Sequence, residues 1–339
     1  MSFPAGDRSN PPLTVVMYHY VRPIKGSRHY RIRGLELVDF EAQIDYIERH
    51  YSVVSMDAVL DAASGRSSLP PSPLLLTFDD GYRDHHEHVF PVLKRRKLSG
   101  AFFPPVQAVR EGRILDVNKV HYILAALDEP QPFVDAIDAA IGDASTEAGL
   151  LSAGEYRKRY MLASRFDTAA TMYVKRMLQF GLPTVFRGEV LDELFARYVS
   201  SDEVDFASQL YVSEDQLRDM VDAGMAVGGH GYSHSWLNRL AAAEQAFEID
   251  RSLAMLQSLG ATDRHFIFCY PYGGYDERTL ALLRDRGCDA AFTTRLDLAK
   301  LGANDLLELP RIDTNDLPVT AESGPVSWTV AAAKGTFQL

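Results

Sequence analysis

The sequence predicts an α/β fold: a distorted barrel of parallel strands and helices, interrupted by a helical insertion. Three observations carry this reading. Short apolar runs alternate with amphipathic stretches of helical period on both sides of a long middle segment. The 339 residues exceed one compact barrel of roughly 250, and suit a barrel with an insertion better than two equal domains. Acidic and histidine residues stand where several apolar runs end, the place where such folds collect their chemistry.

Residues 1–12, rich in Pro, Ser, Gly and Asn, read as a flexible lead-in. The barrel is expected over 13–105 and 211–317, starting with a strand at 13–18 that ends at His19. A basic, aromatic loop from Arg22 to Arg33 follows. It could reach over a groove and bind an anionic or hydroxyl-rich substrate, or be an ordinary solvated loop. Asp39 caps a helix over 39–50, with Phe40, Ile44 and Ile47 on one face. A strand at 51–54, a helix at 56–64 ended near Gly65 and a proline-rich linker, 67–73, lead to Leu74-Leu75-Leu76-Thr77-Phe78. This apolar strand delivers Asp79 and Asp80 to a turn made tight by Gly81. The helix beginning at Tyr82 carries His85, His86 and His88; their spacing does not bring all three to one side, and they read as a solvated face. Ser99 to Phe103 is the next strand.

From 106 to 210 the character changes. Apolar positions such as Val120, Ile123, Leu124 and Leu127, then Val190, Leu191, Leu194 and Phe195, fall at helical spacing without strand patterns. This is read as a helical insertion with its own small core, shaping the substrate site or making a homo-oligomer contact. The barrel resumes with a helix at 213–223 opened by Ser213, a strand at 225–229, a helix at 241–259 stopped by Gly260, a strand at 265–270, a helix at 276–286, a strand at 289–294 and a last segment from Leu306 to Ile312. The tail, 318–339, carries no readable pattern.

Two neighbouring carboxylates at the end of a buried strand are costly to desolvate unless they share a cation or a proton. The alternative is a loop in which both cap the next helix and face water. Far downstream, Gly228-Gly229-His230-Gly231-Tyr232-Ser233-His234 follows a strand and sets two imidazoles four residues apart. Two histidines and a carboxylate form a common ligand set for a divalent metal with open positions. Taken singly, the histidine pair reads equally as packed or surface residues. Trp236, just beyond, is a candidate sugar-stacking platform or a packed anchor.

With Tyr270-Pro271-Tyr272-Gly273 added, the joint pattern of TFDDG and HxxxH resembles the polysaccharide deacetylase family, the NodB-homology or carbohydrate esterase family 4 domain. The resemblance covers about 13–104 and 211–315. It implies Asp79 as catalytic base and Asp80, His230 and His234 as metal ligands. It further implies that the loop of Pro271, Tyr272 and Gly273 lines the substrate groove, with a backbone N–H near Tyr272 as an oxyanion donor. The cofactor so implied is a divalent ion, zinc first, with cobalt, nickel or iron fitting the same ligands. The implied reaction is metal-dependent removal of acetate from an N-acetylated sugar or glycan.

Two departures from the family pattern matter. Where an arginine often stands two residues before the proline, this chain has Cys269; Arg311, in Leu309-Pro310-Arg311, is the candidate replacement to orient the base. No histidine follows His265, so the C-terminal motif that supplies the general acid is missing. Val15-Val16-Met17-Tyr18-His19 resembles the N-terminal motif of the permuted poly-β-1,6-N-acetylglucosamine deacetylase-like subgroup, which makes His19 the candidate acid. Other readings stay open: a deformylase or cyclic amide hydrolase on the same site, or a degenerate domain that binds glycans without turnover.

Composition excludes several partners. A net charge of −11, with no basic run beyond Lys94-Arg95-Arg96-Lys97, argues against nucleic acid. Two cysteines do not indicate a disulfide framework, and no apolar run approaches a membrane span. With no leader pattern at the N-terminus, a cytoplasmic location is expected.

Overall fold

The computed structural model describes residues 10–144, 149–164, 167–302 and 304–334. Most of the expected lead-in and the end of the expected tail lie outside these residues. The described residues fall into two compact units: those within 1–22, 35–111 and 210–339 form the first, and those within 23–34 and 112–209 the second.

The first unit is built on parallel strands: β1 (Thr14–Tyr18), β2 (Pro73–Asp79), β3 (Ala101–Phe103), β4 (Ala226–Val227), β5 (Ile267–Cys269), β6 (Ala290–Phe292) and β7 (Ile312–Asp313). One sheet runs β7-β1-β2-β3-β4, with Val16 opposite both Leu76 and Ile312. β5 and β6 form a second ladder. Single parallel bridges, Gly229 to Phe268 and Phe292 to Leu309, join the two, so pairing continues around a closed, distorted barrel. The short strand Ser52–Val53 pairs with the start of β2.

The two-residue side-chain period divides every strand between two cores. Val16, Leu74, Leu76, Phe78, Phe102 and Phe268 pack outward against helices, including Leu37–His50 and Ala242–Ser258. Val15, Leu75, Ala101, Phe103, Ile267, Cys269, Ala290 and Phe292 meet inside, with Val59 and Leu60 of helix Met56–Ala63. Full burial of such side chains contributes roughly 1.5–3 kcal/mol each, which makes this double core the main source of stability.

Several expectations are corrected. The first helix starts at Leu37, with Glu36 as cap and Asp39 inside its first turn. The stretch after Gly81 is not a plain helix with solvated histidines. His85–Val89 is a π-helical turn leading into helix Phe90–Arg96, and that wider turn buries His85 and Val89 together. The tail is not featureless, because Ser327–Lys334 is a helix that buries Trp328 and Thr329. The Thr329 hydroxyl is bonded by Tyr46 and Tyr51. The strands around the site are shorter than expected; β4 is only Ala226–Val227.

The second unit is helical among its described residues: Asp116–Ala126, Gln131–Ala144, Ala153–Tyr160, Ala169–Arg176, Thr184–Tyr198 and Glu203–Leu210. Phe133, Ile137, Ile141, Tyr173, Met177, Leu191 and Phe195 are buried. Buried Lys119 bonds Asp192 at 2.6 Å and Glu203 at 2.9 Å, which meets the requirement that an interior charge be paired. The basic loop from Pro23 onward belongs to this unit: His29 packs edge-on to Tyr122, Arg31 pairs with Asp128 and Arg33 with Asp167. No described helix is long and apolar enough to cross a membrane.

Candidate functional site

Alternation along β2 sends Leu75, Thr77 and Asp79 to the barrel interior. Continued with ordinary dihedrals, the strand would send Asp80 to the opposite face. Instead Asp80 takes φ +74°, and its carboxylate stands beside His230 and His234. Gly81, at φ +65°, then passes so close to Pro104 that a Cβ would lie 2.7 Å from the proline Cβ. His234 and Tyr272 also adopt positive φ, at 60° and 57°. Non-glycine residues held in this region cost on the order of 1–3 kcal/mol each, and the surrounding packing must enforce them.

The second carboxylate and the two histidines form one cluster, all buried. His230 Nδ1 donates to the Cys269 carbonyl at 2.7 Å, which orients the ring and turns Nε2 toward Asp80. His230 Nε2 lies 3.4 Å and His234 Nε2 3.2 Å from the same oxygen, Asp80 Oδ1. That oxygen is buried and has no hydrogen-bond partner, while Oδ2 accepts from the Tyr82 hydroxyl at 2.6 Å. Two ring nitrogens and an unsatisfied carboxylate oxygen converging in a buried site fit a divalent cation. The electrostatics agree. Burial disfavours charge on Asp80, yet His234 and His230 hold its carboxyl well below the ordinary range. Burial likewise opposes charge on His230, but Cys269 and Asp80 carry it well above the usual imidazole value, whereas burial holds His234 below it.

A second grouping of Asp79, His230 and Cys269 also has ligand-like spacing. It fits a cation poorly, because Asp79 is already neutralised. Arg311 Nη1 donates to Asp79 Oδ1 at 2.9 Å and Nη2 to Oδ2 at 2.7 Å, a bidentate pair at the end of β2. The guanidinium also reaches the Thr77 hydroxyl, the Cys269 sulfur and the Thr293 carbonyl. Burial raises the Asp79 pKa, but the charge and hydrogen bonds of Arg311 outweigh it and bring it to about 2. Cys269 Sγ lies 3.5 Å from Asp79 Oδ2 and does not displace the arginine.

His19 follows β1 and is half-buried. Its backbone carbonyl accepts from His85 Nε2 at 2.9 Å. The sequence reading set His85 on a solvated face, and the fold places it beneath the site instead. It is 1% exposed, and burial above all lowers its pKa to about 4, so it serves as a neutral donor beneath the site. On the groove side, Pro271–Gly273 forms a 3-10 turn. Trp236 stacks on Tyr272 with ring centroids 4.6 Å apart and planes 4° apart, and Tyr272 packs edge-on to His234.

Glu248, in the middle of helix Ala242–Ser258, escaped the sequence reading. It is 5% exposed and accepts from the backbone N–H of Tyr232 at 2.7 Å, the N–H of Ser233 at 2.9 Å and the Ser233 hydroxyl. These bonds pin the loop between the two histidines. Gly231 permits it, since a Cβ there would lie 2.8 Å from Glu248 Oε2. The acid's place on an otherwise amphipathic helix is its only sequence signal, and its loop partners cannot be read from that. A cavity of about 180 Å³ opens at the opposite end of the barrel, lined by Ser99, Gly100, Met225 and His265, which precede β3, β4 and β5. It is remote from the strand ends that carry the acids and histidines.

Comparison with known proteins agrees with this fold. The profile of the polysaccharide deacetylase family matches residues 66–120 and 191–291, which include Asp79, Asp80, His230, His234 and Pro271. No curated protein matches the sequence significantly. Among solved structures, the chain is similar to the deacetylase PplD of Streptococcus pyogenes in complex with acetate, with TM-score 0.54 and 16% identity over 90% of this chain and 93% of that one. IcaB from Ammonifex degensii gives TM-score 0.54 and 20% identity over 97% and 99% of the two chains. A polysaccharide deacetylase from Bacillus cereus gives 0.52 and 16% over 92% and 67%. At these identities the structures establish a shared fold, the (β/α) barrel of the NodB type. The family profile marks a polysaccharide deacetylase domain in this chain.

Proposed function

We propose that the protein is a metal-dependent N-deacetylase that hydrolyses the acetamide of an N-acetylated amino sugar in a glycan or glycan precursor, releasing acetate. The observation that carries this reading is the convergence of Asp80, His230 and His234 on one unsatisfied oxygen, next to the buried Asp79–Arg311 pair. The acetate bound by the Streptococcus neighbour and the family's carbohydrate chemistry support the choice of reaction.

Asp80 Oδ1, His230 Nε2 and His234 Nε2 are the ligands in this reading, with zinc as the first candidate for a His₂Asp set. A bound cation would supply Lewis-acid polarisation of the amide carbonyl and acidify a water. Tyr82 and the Cys269 carbonyl orient two of the ligands. Asp79 takes the proton of the attacking water, and Arg311, bonded to both of its oxygens, holds the carboxylate in place and ionised. The Tyr272 N–H is the candidate donor to the developing oxyanion. Cleavage of the C–N bond leaves an amine that needs a proton, and His19 is assigned to give it. The stacked Trp236 and Tyr272 form one wall for the sugar.

Acetate release from N-acetylated sugar oligomers, followed with metal-loaded and chelated protein, tests the proposal. Release of formate from an N-formyl sugar in place of acetate would favour deformylation. Glycan binding that needs no metal and gives no product would favour a binding module.

A further inference from the structure

Next to the metal loop lies a surface groove of about 410 Å³ that the proposed chemistry does not use. Its walls are Tyr232, Ser233 and Ser235 from the loop that carries His234, and Leu240, Ala243 and Phe247 from the chain that follows. Phe247 is 49% exposed in the middle of helix Ala242–Ser258, where amphipathic patterning would place a polar residue. It packs edge-on to Tyr232, with ring centroids 5.1 Å apart, and Arg251 lies within 6 Å of both rings. The Ser235 hydroxyl, 2.7 Å from the Ser233 hydroxyl that donates to Glu248, and the Glu244 carboxylate, which accepts from the Ala241 N–H, set polar groups beside the rings.

We infer that this groove is a subsite for a neighbouring sugar residue of the glycan, with Phe247 as its stacking face; the inference rests on the deacetylase reading for its link to turnover. An aromatic face bordered by hydroxyls and charged groups matches the two-sided chemistry of a pyranose, whose C–H faces are apolar and whose rim is polar. Size argues in the same direction. The groove lies within the ~300–1,000 Å³ range of small-ligand sites. Continuity with the site argues for the same occupant: Ser233 and Ser235 flank His234 in the chain, so an oligomer held there is also held beside the reactive centre.

The test compares wild type, Phe247→Ala and Phe247→Tyr. Acetate release is measured from N-acetylglucosamine and from its pentamer, and pentamer binding is measured by titration calorimetry in the Asp79→Asn background. The expected result is roughly tenfold weaker pentamer binding and a raised KM for the pentamer in Phe247→Ala. Turnover of the monosaccharide is unchanged, and Phe247→Tyr restores binding. Equal pentamer binding and KM in wild type and Phe247→Ala would overturn the subsite while leaving a deacetylase in place. Pentamer binding that falls with Phe247→Ala, in a protein releasing no acetate from either substrate, would support the subsite and count against the reaction.

Discussion

Replacing Arg311 with methionine removes the cation bonded to Asp79, a carboxylate that is 2% exposed. Two estimates bracket the consequence. Holding Asp79 at about 2 instead of its ordinary 3.8 corresponds to ~2.4 kcal/mol of stability at neutral pH. Breaking a buried pair by removing one partner typically costs 3–5 kcal/mol, because the stranded charge is included. We expect the metal-free Arg311→Met protein to lose about 2–5 kcal/mol in urea unfolding at pH 7, and Asp79→Asn/Arg311→Met to recover part of that loss. The pH dependence has a definite sign. A depressed carboxyl pKa stabilises the fold above the unfolded value, so this contribution is complete above about pH 4 and lost as pH falls toward 2. The variant should show less acid-induced loss in that window than wild type. In the metal-loaded protein, kcat for acetate release should drop on the order of 10²-fold or more, since Asp79 is left misoriented. An unchanged urea midpoint, or a double variant less stable than Arg311→Met alone, would refute the coupling.

Further outcomes follow from neighbouring contacts. Glu248→Ala frees the loop between His230 and His234 and should weaken metal binding roughly 10–100-fold, read by competition with a chromophoric chelator. His19→Ala should lower kcat about 10²–10⁴-fold with metal content unchanged; near-wild-type turnover would remove His19 from the mechanism. Gly81→Ala forces a Cβ against Pro104 at positive φ and should lower the melting temperature; an unchanged value would mean that the turn can shift freely.

The parts legible in the sequence were those fixed by local pattern. The apolar run of β2, its terminal acids and the glycine that turns it lie within a few residues of one another, and each signal is strong. The histidine spacing, the capped helix opened by Ser213 and the helical period of the insertion were readable for the same reason. The Arg311–Asp79 contact spans 232 residues and was reachable only as a candidate pairing. What could not be read depends on tertiary placement or on an unusual turn. The π-turn at His85 moves a histidine from the expected solvated face to the interior, and nothing in the sequence announces it. Glu248 looks like any polar helix residue until the fold brings the metal loop over it. The helix Ser327–Lys334 is short and weakly patterned, and its place is set by Tyr46 and Tyr51, far upstream. The basic loop illustrates the reverse case, since its arginines look available in sequence but pair with Asp128 and Asp167 in the fold.

The central claim is that Asp80, His230 and His234 hold a catalytic divalent ion. The most direct measurement is metal content and acetate release on the same preparations: wild type as purified, wild type after chelation and reloading, and Asp80→Ala. The account predicts about one divalent ion per chain, acetate release that disappears with the chelator and returns on reloading, and neither metal nor product in Asp80→Ala. Acetate release that persists in fully chelated protein, or a wild-type level of tightly bound metal in Asp80→Ala, would contradict it.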